Sequence, residues 1–194
     1  MPVAHSAFNT AFRLGLFSFL IIGLVSVMFH LTRETIAENE YQALLSSLKA
    51  VIPAAKFDND VVQDTLSLPP YSIYRARYQG QPAAALMIST AQGYNGAIII
   101  LTAYSIQEKI IGVRILSHQE TPGLGDKIEL RKSDWILGFK GLSLADVMAN
   151  HWGVKRDGGD IDQFTGATIT PRAVVSNIKQ SAQFFLAHQR EIFQ

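Results

Sequence analysis

Residues 162–170, DQFTGATIT, gather three threonine hydroxyls and a carboxylate around a Gly-Ala pair. Threonines in such a stretch can form turns, cap a helix or accept a covalent group. Thr170 followed by Pro171 is typical of a helix start, with Thr170 as the N-cap. Thr168 would then lie just ahead of a helix N-terminus, where free N–H groups and the helix dipole favour a phosphate. Because Gly166 and Ala167 are small, the active site of another macromolecule could reach the Thr168 hydroxyl.

A second segment whose residues could form a binding site, residues 117–127, reads SHQETPGLGDK. Pro122 and Gly123 match the central positions of a type II turn, which needs a positive φ at the second of them. Gly125 would let the backbone approach a flat or bulky group. Both segments also have a purely structural explanation, as a hairpin-like turn here and as a polar loop before a capped helix at 162–170.

The composition limits the chemistry that these segments can support. None of the 194 residues is cysteine, which excludes disulfides, thiol redox chemistry, thiolate-held iron–sulfur clusters and c-type haem attachment. A threonine hydroxyl is a poor nucleophile, and Thr168 has no obvious base beside it, so that it is not expected to modify itself. Any redox work would therefore use an organic cofactor, and no metal site is predicted.

Residues 12–31 form an apolar segment, whose central part LGLFSFLIIGLVSVMF carries no charge. About 20 such residues can cross ~30 Å of hydrocarbon, which predicts a transmembrane anchor. A cleaved signal peptide is the alternative, but its short apolar core and A-x-A site are not evident. Arg13 favours a cytoplasmic tail at residues 1–11.

The chain beyond the anchor holds all 16 acidic residues and every basic residue except Arg13, and this balance argues against a nucleic-acid partner.

The rest of the chain is predicted to be one α+β domain on a helical tether. Residues 33–52 place apolar side chains three or four apart, which predicts a helix that continues from the anchor and ends at Pro53, within a stalk and loop at 32–69. The domain at 70–194 begins with four strand-like runs, at 71–78, 82–90, 96–104 and 109–117. Their short connections predict an antiparallel sheet, and the amphipathic run at 171–193 predicts a helix packed on it.

The segment DQFTGAT resembles the flavinylation motif Asp-x-x-Ser/Thr-Gly-Ala-Thr, in which a dedicated transferase esterifies the last threonine with the phosphate of FMN. The runs GYNGAIII and VRILSHQETPGLG look like the body of the same FMN-binding domain. With a single anchor and this chain length, the motifs resemble the G-subunit family of the Rnf (also called Rsx) electron transport complexes over most of residues 70–190. One departure is the connection AYSIQEK, which lacks the Asp and Gly common in relatives and could make that hairpin longer or differently bent.

The resemblance implies a role for each matching residue. Thr168 would carry FMN as a phosphoester. The transferase would recognise Asp162, Thr165, Gly166 and Ala167. The flavin would be lined by His118, Glu120, Thr121, Gly123, Leu124 and Gly125, with the N–H groups of the two glycines at the ring edge. Trp135 is the best candidate to stack on the ring, and a place in the core is the alternative.

For function, the resemblance implies an electron-carrying flavoprotein subunit of a bacterial inner-membrane complex. Such a complex exchanges electrons between ferredoxin and NAD and couples this to ion movement, so that the complex and not this chain alone would be the catalyst. The implied partners are the other subunits and the flavin transferase, and the bulk of the single-pass chain would be periplasmic. Two alternatives are the C subunit of a sodium-pumping NADH:quinone reductase, which shares both motifs but is longer, and a membrane-tethered binding or sensor module without flavin.

Overall fold

A computed structural model of the protein describes residues 2–52, 57–145, 147 and 152–194, with the backbone alone at residues 2–8, 10 and 40. The chain divides into two compact units, Met1–Ala43 and Leu44–Gln194. The first helix, α1, spans Pro2–Val51 without interruption, as predicted for an anchor that continues into a stalk. Pro53, which is predicted to end this helix, lies outside the described residues.

The first unit consists of the N-terminal part of α1. Its large apolar side chains between Phe12 and Leu31 are exposed, Leu24 by 74%. The helix from Ala11 onward contains a window with a mean hydropathy of 2.3, which is long and apolar enough to cross a membrane. A helix that is apolar all round suits a lipid environment. The prediction of one N-terminal helix with the length and composition of a membrane span is therefore confirmed.

The second unit is built on a five-stranded antiparallel sheet in which each strand pairs with its neighbours in the chain, in the order β1-β2-β3-β4-β5. The strands are β1 Thr65–Leu68, β2 Tyr71–Tyr78, β3 Gln81–Gln92, β4 Ala97–Ser105 and β5 Ile110–Ser117. The four predicted runs correspond to β2–β5, whereas β1 is an addition. The β4–β5 connection is short: the Ser105 N–H donates to the Lys109 carbonyl at 2.9 Å, and Glu108 takes a φ of 57°.

Both faces of the sheet are buried. Helix α2, Ile169–Ile192, covers one face with the predicted stripe, Val174, Ile178, Ala182 and Phe185. The last turns of α1 contribute to a cluster on the other face, which includes Leu48, Val51, Ile52, Leu86 and Leu101. Each large apolar side chain that is fully buried in this way contributes roughly 1.5–3 kcal/mol. The predicted α+β class, an antiparallel sheet flanked by helices, is confirmed.

Between β5 and α2 the described residues include three short 3₁₀ helices, Gly125–Ile128, Asp134–Phe139 and Lys155–Asp157. The last of them lies in a tightly folded loop. The Ile161 N–H donates to the Gly153 carbonyl at 3.1 Å, and the Lys155 N–H donates to the Ile161 carbonyl at 2.8 Å. A Cβ on Gly159 would overlap the backbone of Gly153. This loop directly precedes residues 162–168, which lead into α2.

Candidate functional site

Helix α2 begins two residues earlier than predicted. Thr168 is its N-cap, with φ −80° and ψ −27°, and the Arg172 N–H donates to the Thr168 carbonyl at 3.2 Å. The assignment of Thr170 as the N-cap is therefore wrong. Pro171 still lies in the first turn, where a missing N–H leaves no helical hydrogen bond unmade. The half-buried Thr168 side chain makes no capping hydrogen bond.

The hydroxyl of Thr170 is directed to a buried carboxylate instead. It donates to Oε2 of Glu120, while the backbone N–H of Asn95 donates to Oε1 of Glu120 at 3.0 Å. Glu120 is 5% exposed and Thr170 is 1% exposed. Because hydrogen bonds to a carboxylate are stronger than those between neutral groups, Thr170 serves Glu120 and not the helix end. Glu120 thereby joins the β3–β4 turn, the segment after β5 and the start of α2.

The segment after β5 contains the turn predicted at Pro122 and Gly123. The Leu124 N–H donates to the Thr121 carbonyl at 3.1 Å, and Gly123 has a φ of 80°. The Gly125 N–H also donates to the Thr121 carbonyl, at 3.1 Å, so that it is already used within the loop. This corrects the expectation that the Gly125 N–H is directed to a flavin.

Gly125 lacks a side chain for a different reason. A Cβ at this position would lie 2.8 Å from Oε2 of Glu120 and 2.9 Å from Oγ1 of Thr170. Real Cβ atoms do not approach polar atoms so closely. The glycine therefore makes room for the hydrogen bond that joins the loop to α2.

His118 supports the same loop from its other side. Its Nδ1 accepts the Glu120 N–H at 3.0 Å, so that Nε2 carries the ring proton and donates to Oε1 of Glu129 at 2.6 Å. Arg131 also pairs with Glu129. The hydrogen bond from Arg131, assisted by His118 and opposed by burial, holds the pKa of the Glu129 carboxyl below its usual value.

A cavity of about 240 Å³ opens beside Thr168. Its lining comprises Tyr94, Glu120, Thr121, Leu124, Gly125 and residues 166–170. Tyr94 is 67% exposed, Ile169 49% and Leu124 44%. Exposed apolar side chains around a concave surface with a few polar groups are typical of a ligand site. Because pockets that enclose a small molecule measure roughly 300–1,000 Å³, a ligand seated here would remain partly exposed.

The cavity brings together seven of the residues that the sequence predicted for the site, namely Glu120, Thr121, Leu124, Gly125, Gly166, Ala167 and Thr168. The other five, His118, Gly123, Trp135, Asp162 and Thr165, do not line it. Asp162 and Thr165 are exposed, and Oδ1 of Asp162 lies 2.6 Å from Nζ of Lys155. Their exposure leaves them accessible to another protein.

Trp135 occupies a packing position. Its ring contacts Phe139 and Phe164 edge-on, with centroids 5.3 and 5.2 Å apart, and its indole N–H donates to the Asp162 carbonyl at 2.7 Å. The geometry therefore supports the core alternative for this side chain and not stacking on a ligand at the cavity. In this position Trp135 holds the segment that precedes Thr168.

Three residues of the lining were missing from the predicted flavin site, namely Tyr94, Ile169 and Thr170. Tyr94 lies in a turn between β3 and β4 that is flanked by glycines, and an aromatic residue in such a turn is the signal that could have found it. Ile169 follows the motif directly. The local sequence predicts helix capping for Thr170. Its actual partner, Glu120, is 50 residues away in the chain, so that no local pattern indicates it.

Comparison with known proteins identifies two matching families and several similar proteins. Residues 93–183 match the FMN-binding domain family, and residues 1–51 match the RnfG N-terminal region. The chain is 43% identical over 190 residues to the G subunit of the ion-translocating oxidoreductase complex of Pseudoalteromonas atlantica, a match that covers 93% of this chain and 88% of the relative. It is 46% identical over 180 residues to the corresponding protein of Photorhabdus laumondii, a match that covers 88% of this chain and 86% of the relative.

Among solved structures, the C subunit of the Na(+)-translocating NADH-quinone reductase of Parabacteroides distasonis is similar to this chain. The two are 26% identical, with a TM-score of 0.43, over 60% of this chain and 61% of the other.

Proposed function

The chain belongs to the family of G subunits of the ion-translocating oxidoreductase complex, and from this membership we propose that it carries electrons through FMN attached to Thr168. The complex that we infer exchanges electrons between ferredoxin and NAD and couples the exchange to ion movement. Within it, this chain is an electron carrier and not a catalyst by itself.

The position of Thr168 is the observation that carries the assignment. This residue caps the N-terminus of the 24-residue helix α2 and lines the cavity, and its side chain makes no capping hydrogen bond. Free N–H groups and the positive end of the helix dipole favour a phosphate at such a position. The neighbouring Gly166 and Ala167 leave the hydroxyl accessible.

The cavity walls fit the rest of the cofactor. Tyr94, Leu124 and Ile169 offer exposed apolar surface to a planar ring, and Gly125 keeps the floor open where a Cβ would press on Glu120. Bound FMN supplies the uptake and release of one or two electrons. The chain contributes retention at Thr168 and partial exclusion of water by the apolar walls. Since the cavity does not enclose a small molecule fully, redox partners can come within reach.

A threonine hydroxyl is a poor nucleophile that needs a base to remove its proton. The carboxylate that lines the same cavity, Glu120, already accepts hydrogen bonds from Thr170 and Asn95, so we infer that attachment requires a second protein. We infer a flavin transferase that supplies this base and recognises the exposed Asp162 and Thr165 together with residues 166–168. A bond forms between Oγ1 of Thr168 and the phosphorus of a flavin donor, the P–O bond from that phosphorus to the donor's leaving group breaks, and the hydroxyl proton passes to the transferase's base. The chain thereby gains the mass of one FMN less one water. The ester lies far from the redox-active ring, so that its role is retention.

The two alternative functions are less well supported. The C subunit of a sodium-pumping NADH:quinone reductase does not account for the match of residues 1–51 to the RnfG N-terminal region. A tethered module without flavin does not account for the FMN-binding domain match over residues 93–183. The proposed place of the domain is the periplasmic side of a bacterial inner membrane.

Replacing each of two neighbouring threonines tests the attachment site. Thr168→Ala, expressed with the transferase and exported, is expected to lose the mass of one FMN less water and the ultraviolet fluorescence of the denatured band on a gel. Thr170→Val is the matched control and is expected to keep both, because its hydroxyl serves Glu120. Covalent flavin on Thr168→Ala would overturn the assignment.

A further inference from the structure

Glu120 is a buried carboxylate that no cation neutralises. Its side chain belongs to a residue that is 5% exposed, and among the described residues no Lys, Arg or His forms an ion pair with it. Its two oxygens accept one hydrogen bond each, from the Asn95 N–H and the Thr170 hydroxyl. Burying a charge is costly unless the charge is paired, and two neutral donors offset that cost only in part.

The surroundings of this carboxylate are shaped to hold it. A Cβ on Gly93 would overlap Oε1 of Glu120, and a Cβ on Gly125 would lie 2.8 Å from Oε2. The backbone N–H of Glu120 donates to Nδ1 of His118 at 3.0 Å. Two glycines, one before the β3–β4 turn and one in the loop after β5, therefore leave room for one charged group.

The carboxylate lies in the wall of the cavity beside Thr168. Of the described residues in that wall, Glu120 is the one that carries a charge at neutral pH, and Tyr94 is the other with an ionisable side chain. The β3–β4 turn, residues 93–96, contains no charged side chain. A cavity that suits a phosphate group at Thr168 thus has an anion, and no cation, in its described lining.

The other charged groups on the elements around this carboxylate are paired. In the loop after β5, Nζ of Lys132 lies 3.5 Å from Oδ2 of Asp126. In the first turn of α2, the Arg172 guanidinium donates to both carboxylate oxygens of Asp157, at 2.6 and 2.7 Å. His118 is uncharged, because its Nδ1 accepts an N–H. The electrostatic field inside the cavity is therefore set mainly by one negative charge.

We propose that the negative charge of Glu120 couples electron uptake in this cavity to the uptake of a proton from water. The proposal rests on the proposed function, since it assumes that the redox-active ring of FMN on Thr168 lies in the cavity. Charges interact more strongly in a wall that excludes water than they do in water. Glu120 therefore opposes a negative charge that arrives with an electron from the redox partner. It favours an electron that arrives with a proton, because the pair leaves the net charge of the cavity unchanged.

This role has two measurable consequences. Because Glu120 opposes added negative charge, the reduction potential is lower than it would be without the carboxylate. Because a proton taken up near a carboxylate is held to a higher pH, the potential falls with rising pH over a wider range. The pH at which this fall becomes less steep is therefore higher than in a chain that lacks the charge.

Glu120→Gln in the full chain removes the charge and keeps the size of the side chain. The amide oxygen can accept the Asn95 N–H while the amide N–H donates to Oγ1 of Thr170, so that the links between the three segments persist. Glu191→Gln makes the same change at an exposed position near the end of α2 and is the matched control. Both are expressed with the transferase and purified in mild detergent. The readouts are the covalent flavin mass, the free energy of unfolding and the reduction potential across a range of pH.

Glu120→Gln is expected to keep its covalent flavin and to take up an electron with an equilibrium constant about tenfold larger, a rise of ~59 mV for a one-electron couple. The pH at which the potential falls less steeply is expected to decrease. Glu191→Gln should match the wild type in both, because an exposed charge is screened by water and salt. A purely structural role would change the free energy of unfolding and leave the pH profile where it is. An unchanged potential and pH profile in a folded, flavin-bearing Glu120→Gln chain would overturn the proposal.

Thr170→Val provides the test if Glu120→Gln does not fold. It keeps the charge and removes one of the two hydrogen bonds that offset it, so that the potential is expected to fall below that of the wild type. An equal or higher potential would contradict the proposal. A folded Glu120→Gln chain that receives no flavin would assign Glu120 to attachment and would also overturn this role. If the wild type itself carries no covalent flavin, the proposed function fails, whereas an unchanged potential in a flavin-bearing variant defeats the role of Glu120 alone.

Discussion

At the scale of single residues, Gly123 and Gly125 lie in one loop but lack a side chain for different reasons. Gly123 has a φ of 80° and open space where a Cβ would stand. Gly125 has no positive φ, but a Cβ there would press on Glu120 and Thr170. Gly123 allows the positive φ of the turn, while Gly125 leaves room for the hydrogen bond between Thr170 and Glu120, which joins the loop to α2. The sequence distinguishes them only through the Pro-Gly turn signal.

Alanine substitutions should separate these roles. Gly123→Ala is expected to lower the free energy of unfolding by about 1 kcal/mol, the cost of a left-handed conformation. Gly125→Ala is expected to cost roughly 1–3 kcal/mol and to shift the reduction potential of the flavin, because Glu120 and Thr170 line the cavity. Urea unfolding measures the change in the free energy of unfolding of each variant, and a redox titration of the protein with bound FMN measures the change in reduction potential. An unchanged potential in Gly125→Ala would show that the ring is not seated in this cavity.

The Glu129 carboxylate, which contacts His118 and Arg131, gives a pH-dependent contribution to stability. Because its folded pKa is lowered, its stabilising contribution is complete above the ordinary carboxyl pKa and is lost as the pH falls through the lowered value. Glu129→Gln is therefore expected to be less stable than the wild type at pH 7, and the gap in the free energy of unfolding is expected to narrow at a pH below the ordinary carboxyl pKa. Urea unfolding at both pH values measures this.

The control for this comparison is Glu191→Gln, which changes an exposed carboxylate near the end of α2. Because a surface substitution away from packed or paired groups usually changes stability little, it is expected to change the free energy of unfolding at pH 7 by less than about 0.5 kcal/mol. A stability gap for Glu129→Gln that persists in acid would mean that Glu129 acts through packing and not through its charge.

At the scale of elements, local patterns account for what was predicted and distant contacts for what was not. Strands β2–β5 and α2 have clear periodicity and turn residues at their ends. Strand β1 has four residues of mixed exposure and gives no comparable signal. The start of α2 was misplaced because the Thr170 hydroxyl is engaged by Glu120, which no local window contains. Trp135 could not be assigned between stacking and core until its contacts with Phe139 and Phe164 were known.

The loop around Gly159 offers a test of how the motif is positioned. Gly159→Ala places a Cβ on the backbone of Gly153, which cannot move aside as a flexible side chain would. We expect a loss of roughly 1–3 kcal/mol in the free energy of unfolding, together with slower flavin attachment. Gly138→Ala is the control, since Gly138 has open space and no positive φ. Normal stability and attachment in Gly159→Ala would show that the loop does not position Thr168.

At the scale of the whole molecule, the sequence predicts an uncleaved anchor followed by a periplasmic domain. The apolar helix has the length and composition of a membrane span. Its orientation rests on a single charge, Arg13, and on the proposed export of the domain.

A reporter fused to the C-terminus tests this topology. An enzyme that is active only in the periplasm is expected to be active in the fusion, and one that requires the cytoplasm is expected to be inactive. Sequencing of the mature N-terminus should find it at or near residue 1, because no cleavage site is evident. A soluble mature protein that begins beyond residue 32 would identify a signal peptide instead.

The order of the strands in the sheet has a consequence for biosynthesis. Since every strand pairs with its neighbour in the chain, the sheet can assemble hairpin by hairpin, and on the proposed topology it can do so while the polypeptide is being exported. Helix α2, which buries one face of that sheet, follows all five strands in the chain, and Thr168 is its N-cap. On the proposed attachment at Thr168, the folded site therefore forms only after all five strands and the start of α2 have emerged, and covalent flavin would report that this part of the domain has been exported and folded.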